Sequence, residues 1–348
     1  MTRVGLIARA DMGGLATLTH AFFEHMQPAY TVVLDMGNNA RGGRNVLSYA
    51  PPPGSVVEHA KWRTAEIGHA YERMVDAVDV IYTAETAYDP RLYAIAHARR
   101  RVPIVLHAMP ELLGPGERSG ADAIWYPTNW RTSDGDIIMP VPTVDVVDEP
   151  TTPLPERVFF HTCGEAMLDR NGTEIVRQAL AYVTQRCTVL LRCGEHVDVA
   201  DWPSGPHGNV SIHVMPPADH YRNVFPLDAE VLLMPRRYGG LCLPVQEAAA
   251  RGIPSIMSDL PPQNEWPGVA TVRAEVLQQT VEMKGGWFPV HHVDPREYAA
   301  AIDRWADPDN VAEFHKHAHA AHEWAVEHEW TRWRGRYMRA LQAAAEAA

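Results

Sequence analysis

Apolar runs of strand length recur along the chain, and between them apolar residues return every third or fourth position. Residues 4–8 form the first run. Leu15, Leu18, Phe22 and Met26 follow at helical spacing. Further strands are predicted at 31–36, 77–82, 102–107, 121–126 and 136–142, with helices at 64–75 and 90–101. The stretch 148–156, DEPTTPLPE, has three prolines and no apolar period, and reads as a stiff linker. The series then begins again. Strands are predicted at 157–163, 187–193, 209–214, 231–234 and 253–257, and helices at 172–184, 217–225 and 295–306. A long helical stretch starts near residue 310. Strand and helix in alternation argue for parallel, doubly wound sheets, so an α/β protein is expected.

The stretch 231–265 organises the rest. An apolar strand runs into a tight turn at Gly239 and Gly240. Pro244 stands where a helix's first turn tolerates proline, its missing N–H being unpaired there anyway. The helix carries Glu247 and three alanines, and Gly252 caps it. A second strand leads into Ser258-Asp259 and Pro261-Pro262. A strand, a glycine turn and a helix start make a phosphate-binding arrangement, because ligand can approach bare backbone and unpaired N–H groups. An ordinary βαβ unit with no ligand fits the same spacing. Gly13 and Gly14 occupy a similar strand-to-helix junction, but match neither the P-loop nor the dinucleotide glycine pattern.

Length and composition narrow the classes. At 348 residues, 46% hydrophobic and 21% charged, the chain suits two soluble globular domains. A net charge of −12 argues against broad nucleic-acid binding. The four cysteines form no Cys-x-x-Cys pair, so neither zinc nor a redox motif is expected, and a reducing cytoplasm suits them. No apolar run approaches the roughly 20 residues that span a bilayer. The N-terminal run is too soon interrupted for a signal peptide. His315, His319 and His322 share one helix face, but their neighbours mark it as solvated.

The organising stretch resembles the donor-binding segment of retaining nucleotide-sugar glycosyltransferases of the glycogen-synthase-like kind. Their pattern runs Pro-Ser-x-x-Glu-Gly-Phe-Gly-Leu-Pro, then a Glu, a helix of small residues, Gly-x-Pro, a strand and Ser-Asp. Pro235, Gly240, Leu243, Pro244, Glu247, Ala248, Gly252, Pro254, Ser258, Asp259 and Glu265 match it. The family's first Glu falls on Gly239, its Phe on Leu241 and its second Gly on Cys242. Short glycosyltransferases of actinobacterial phages are most similar to this variant.

The resemblance implies a GT-B fold: two Rossmann-like domains facing across a cleft, with a last helix crossing back to the first domain. Boundaries are then expected at 1–147 (acceptor side), 148–156 (linker), 157–325 (nucleotide-sugar side) and 326–348 (last helix). It implies transfer of a hexose from a UDP- or GDP-sugar co-substrate, with retention, no metal and no permanently bound cofactor. The family's Glu at position 247 accepts hydrogen bonds from the donor ribose. Gly13, Gly14, Gly239, Gly240, Leu241 and Cys242 would line the donor. The family's diphosphate-holding Arg and Lys fall on Glu165 and Asn171, which leaves Arg170, with Arg192 second, as the expected phosphate cation. Arg170 and His107, at the end of a predicted strand, are the catalytic candidates. Arg41, Arg44 and Trp130 are acceptor-side candidates. The acceptor stays open among a virion protein, a modified DNA base, a glycan and a lipid. A sugar-nucleotide epimerase and a non-catalytic sugar-nucleotide binder are the rival readings.

Overall fold

The computed structural model describes residues 2–10, 14–35, 48–163, 169–192, 201–216 and 225–348. The chain divides into two compact units. Unit 1 comprises Met1–Pro142, Met283–Gly286 and Trp330–Ala348; unit 2 comprises Thr143–Glu282 and Trp287–Glu329. The first change of unit falls at 142/143, against the expected 147/148, and after a short return at Met283–Gly286 the chain re-enters unit 1 at Trp330, against the expected 326.

Unit 1 begins β1 (Val4–Arg9), α1 (Gly14–Met26), β2 (Tyr30–Asp35) and β3 (Val56–Lys61). It continues through α2 (Glu66–Ala77), β4 (Val80–Ala84), α3 (Arg91–Arg99), β5 (Ile104–His107) and α4 (Pro115–Gly120) to β6 (Ala123–Tyr126) and β7 (Ile137–Ile138). The strands form one parallel sheet of order β3-β2-β1-β4-β5-β6-β7. On one face Ile7, Val32, Leu34, Ile81 and Ile104 pack against Ile67, Tyr71 and Met74 of α2 and Leu92 of α3. Such side chains each contribute about 1.5–3 kcal/mol when fully buried.

Unit 2 repeats the plan with β8 (Arg157–Thr162), α5 (Thr173–Leu180), β9 (Cys187–Arg192), β10 (Val210–Met215), β11 (Val231–Met234), α6 (Leu243–Ala250), β12 (Ser255–Ser258) and β13 (Val269–Val272). A hairpin, β14 (Ala274–Met283) and β15 (Gly286–Val293), precedes α7 (Pro295–Ala306) and α8 (Val311–Glu327). The sheet order is β10-β9-β8-β11-β12-β13, again parallel. Phe159, Leu191, Leu233 and Ile256 pack on Ile175 and Val176 of α5, Tyr298 and Trp305 of α7 and Phe314 of α8. The last helix, α9 (Trp330–Ala347), belongs to unit 1. There Tyr337 and Trp330 close on Phe22 of α1, and Tyr337 also meets Tyr82 and Trp125.

Strand order reverses at one place in each sheet. The chain steps outward from β1 to β3, then returns to lay β4 on the other side of β1; β8 and β11 do the same. Loops diverge at such a point and leave a crevice beyond the carboxyl ends of the two strands.

A buried ion pair fixes the start of the second sheet. Arg157 and Glu230 lie 3.8 Å apart, both almost wholly covered. The Glu230 carboxylate accepts from the backbone N–H groups of Leu154 and Val158, and Arg157 donates to the carbonyls of Leu154 and Trp305. Burial pushes the Glu230 carboxyl up and the Arg157 guanidinium down, each against the pull of its partner.

Four strands escape the sequence pattern: β3, β13, β14 and β15. β3 is covered fully only at Ala60, β13 only at Val272, and β14 is mostly exposed, so no apolar period marks them. The predicted helix 217–225 lies outside the described residues apart from Phe225. The expected long C-terminal helix is broken at residues 328–329. Among the described residues, no helix is long and apolar enough to cross a membrane.

Candidate functional site

Arg170, the glycine turn and Glu247, singled out in the second half of the chain, lie on the segments that follow β8 and β11. The loop before α5 and the turn before α6 meet. Gly172 sits at φ 72°, and a Cβ on it would come within 2.1 Å of the Pro235 carbonyl oxygen. Only glycine permits that approach. The Arg237 N–H donates to the Arg170 carbonyl at 3.0 Å, which ties the two segments together. Asp169 stands at the head of α5, its carboxylate accepting from the N–H groups of Thr173 (2.8 Å) and Glu174 (3.0 Å). That satisfies two donors at the helix start.

Beneath this junction lies His161, fully buried on β8. One ring nitrogen, Nδ1, is 2.8 Å from the Leu233 carbonyl of β11, and Nε2 is 2.9 Å from Thr173 Oγ1 of α5. A carbonyl can only accept, so Nδ1 carries the proton and Nε2 accepts from the hydroxyl. Burial pushes the imidazole down to about 4, against a smaller raising contact from the Leu233 backbone. It is therefore a neutral tie between the crevice walls.

The glycine turn is held by side chains. Arg170 donates to the Gly239 carbonyl from Nε at 3.2 Å and from Nη2, and Arg236 donates to the same oxygen at 3.0 Å. The Arg170 guanidinium also lies 5.2 Å from the centre of the Tyr238 ring. Buried Gln263 donates through Nε2 to the Gly240 carbonyl. With both carbonyls held, the shape of the turn is set before any ligand arrives. Gly240 has φ 97° and Cys242 φ 60°. Leu241 and Cys242 are buried, and α6 begins at Leu243 with proline in its first turn.

Glu247 lies in the second turn of α6. The residue as a whole is only partly covered, yet burial pushes its carboxyl up to about 7, with Arg251 pulling the other way. Among the described residues no hydrogen bond reaches this carboxylate. A half-buried acid without a hydrogen-bond partner is costly to keep unless something completes it.

Other expected residues lie elsewhere. Arg192, at the end of β9, reaches Met215 of β10 at 3.8 Å, on the side of β9 away from β8. His107 was expected near a transferred sugar. It is 0% exposed, with Nδ1 2.8 Å from the Tyr82 hydroxyl and its ring among Tyr82, Trp125 and Tyr337. Burial pushes it down to about 4, opposed by the Met139 backbone, so this neutral histidine presents no surface to a ligand. Trp130 is half-buried in the turn after β6, with the Arg131 guanidinium 5.6 Å from its ring. Gly14 opens α1, while Gly13, Arg41 and Arg44 lie outside the described residues, as does Glu165. No group of three or more His, Cys, Asp or Glu with metal-holding geometry occurs among the described residues.

Sequence reasoning missed Arg236, Gln263 and His161. Arg236 was visible as a basic residue inside the organising stretch. The other two carry no sequence signal, since only folding brings them to the turn and the crevice floor.

No family model and no curated protein sequence matches this chain. Solved structures do resemble it over nearly its full length. The Anabaena protein HepE, solved in complex with UDP-glucose, is 12% identical, with 99% of this chain and 100% of that chain covered, at a TM-score of 0.63. The lipopolysaccharide outer core galactosyltransferase WaaB is 12% identical, with 98% and 99% covered, at 0.65. The sucrose-phosphate synthase of Thermosynechococcus elongatus is 14% identical, with 99% and 100% covered, at 0.58. At such identity the likeness establishes the architecture: two parallel-sheet, Rossmann-like domains of the GT-B kind.

Proposed function

We propose that this GT-B chain is a glycosyltransferase that moves a hexose from a nucleotide-diphosphate sugar to an acceptor hydroxyl, with retention and without metal. The observation that carries the reading is the Glu247 carboxylate. Among the described residues it stands without a hydrogen-bond partner, one turn inside α6, behind a glycine turn at the strand-order reversal. A carboxylate there suits two ribose hydroxyls, because it accepts both hydrogen bonds at once. On this reading Arg170 meets the diphosphate. Gly239, Gly240, Leu241 and Cys242 give the donor its backbone wall. The structural counterparts support the reading: one was solved with UDP-glucose, and another is named a galactosyltransferase.

On this reading the chemistry needs no protein nucleophile. The bond from the sugar's anomeric carbon to the leaving phosphate oxygen breaks as the acceptor oxygen bonds on the same face. The acceptor proton passes to that phosphate oxygen. The chain contributes positioning and charge stabilisation, which together can supply most of a barrier reduction. Arg170 balances charge growing on the diphosphate. His107 supports the end of β5 and takes no part in contact with the sugar.

Calorimetry with UDP- and GDP-sugars, followed by donor hydrolysis with and without EDTA, tests this. Arg170→Ala is expected to weaken donor binding by roughly tenfold or more, the worth of one charge-assisted hydrogen bond. Turnover is expected to survive the chelator. Loss in EDTA with rescue by manganese would overturn the metal-free mechanism. An epimerised donor would replace transferase with epimerase. Binding without any turnover across an acceptor panel of proteins, DNA, glycans and lipids would leave only a sugar-nucleotide binder.

A further inference from the structure

Helix α9 carries four arginines close together, Arg332, Arg334, Arg336 and Arg339, and no acid before Glu346. All four are exposed. Among the described residues none of them pairs with a carboxylate; the Arg336 guanidinium lies 4.6 Å from the centre of the half-buried Trp333 ring. Elsewhere on the surface Arg3, Arg73, Arg91, Arg99, Arg177 and Arg304 each face a carboxylate. In a chain of net charge −12, this helix is a local reversal of sign.

At about 100° per residue, Arg332, Arg336 and Arg339 fall within about 60° of one another and run roughly 10 Å along the axis. Trp330, Tyr337 and Leu341 are buried on the opposite side, so the arginine stripe is not what packs the helix into unit 1. Gly335 lies in the stripe, exposed, and a Cβ on it would stand 3.5 Å from Arg339 Nη1. Local physics disfavours each of these choices. Arg332 stands in the first turn, where the positive end of the helix dipole repels a cation. Arg332 and Arg336 are like charges one turn apart. Glycine is a poor residue for a helix interior. Breaks with local preference that gain nothing in packing mark a functional surface.

We propose that this stripe is a docking surface for the phosphate backbone of duplex DNA. The guanidinium fork matches phosphate oxygens through paired hydrogen bonds. A duplex offers one negative charge for about every 1.7 Å of its axis, so roughly 10 Å of stripe faces about six phosphates. The acids elsewhere on the chain do not cancel this, because at physiological salt charge is screened over about 8 Å. A lipid surface fits less well. A helix lying on a membrane sinks an apolar face into it, and the apolar face of α9 is buried in unit 1. Backbone contacts position without reading bases, so binding is indifferent to sequence. The proposal stands on unit 1 alone and does not rest on the nucleotide-sugar reading.

Fluorescence anisotropy on the full-length protein, with labelled duplexes titrated at several salt concentrations, tests it. Wild type is expected to bind two unrelated sequences alike, with log affinity falling against log salt at a slope of about −3, roughly −0.9 for each of three phosphates. Arg332→Gln, Arg336→Gln and Arg339→Gln are each expected to flatten that slope by about 0.9, and the triple variant to abolish binding, with melting temperatures held or raised as like-charge repulsion is relieved. Arg334→Gln, on another side of the helix, is expected to leave the slope nearly unchanged. No binding at low salt, or a flat salt dependence, overturns the proposal with wild type alone. A folded triple variant that binds as wild type does also overturns it, as does an equal loss in Arg334→Gln. Tighter binding to phosphatidylglycerol vesicles or to poly-glutamate than to duplex would assign the stripe to a membrane or an acidic protein instead.

Discussion

Cys242 holds a backbone conformation that its own side chain resists. At φ 60° it stands in the left-handed region, at the position where the similar glycosyltransferase pattern has glycine. The turn into α6 therefore takes a shape that glycine adopts freely and cysteine does not. A side chain there costs roughly 1–2 kcal/mol, partly offset by the lower chain entropy of a non-glycine residue. Cys242→Gly is expected to be at least as stable as wild type in urea denaturation, and Cys242→Val clearly less stable, because β-branching sharpens the clash. The opposite order would show that the buried thiol's packing outweighs the strain. Glu247 makes the other prediction at this scale. With its carboxyl near 7, donor affinity is expected to rise as pH climbs through that value and to level off above it, since the ionised form accepts both ribose hydrogen bonds. Glu247→Gln is expected to lose roughly tenfold or more in donor affinity and to flatten that pH profile. Unchanged affinity and an unchanged pH profile would return Glu247 to an ordinary helix residue, its charge complementing the helix dipole by at most about 1 kcal/mol.

At the scale of elements, side chains from distant parts of the sequence join strands and loops into fixed junctions. The carboxylate of Glu230, just before β11, takes two N–H groups at the start of β8 and faces Arg157. Removing one partner of such a pair leaves a buried charge uncompensated, which typically costs about 3–5 kcal/mol. Glu230→Ala is expected to destabilise unit 2 by that order in denaturant melts. Loss below about 1 kcal/mol would mean that water reaches Arg157 in the variant. His161 does comparable work as a neutral tie between β8, β11 and α5. Much of the element pattern was legible beforehand, because fully buried strands such as β1, β8 and β11 are continuous apolar runs. β14 was not, since most of its residues face solvent and have no reason to be apolar.

For the whole molecule, the two buried histidines set the acid side of stability. His107 in unit 1 and His161 in unit 2 titrate near 4 when folded and near 6.5 when free. The unfolded chain binds more protons between those values. Stability is therefore full above about 6.5 and falls as pH drops toward 4. A shift of that size corresponds to roughly 3 kcal/mol per group. Glu247 acts with the opposite sign: its stabilising effect is present below 4.5 and is lost as pH rises to about 7. Unit 1 adds the lowered carboxyls of Glu58, Asp76, Asp79 and Asp89, which lose stability in acid with the same sign as its histidine, whereas unit 2 adds the raised carboxyls of Asp169 and Glu230 beside the lowered Glu174 and His317. Scanning calorimetry is expected to show the transition of unit 1 falling more steeply with acid than that of unit 2. His107→Gln should flatten the first and Glu247→Gln steepen the second. Equal slopes in both units and no response to either variant would contradict this.

The sequence by itself determined the α/β class, the alternation of elements and the segment in which a phosphate-bearing ligand would be sought. Those features follow from local chemistry: apolar runs form buried strands, proline and glycine place helix ends, and a glycine turn before a helix exposes N–H groups. The partners were decided only by tertiary structure. Arg170 and Arg236 are 66 positions apart, and they meet on Gly239 because strand order reverses between β8 and β11. His107 and Glu247 show the same division. Both were marked by their residue type and place in the pattern. Folding then sealed the histidine among aromatic rings and left the carboxylate without a hydrogen-bond partner among the described residues, because burial and hydrogen bonding depend on neighbours that no local stretch of sequence contains.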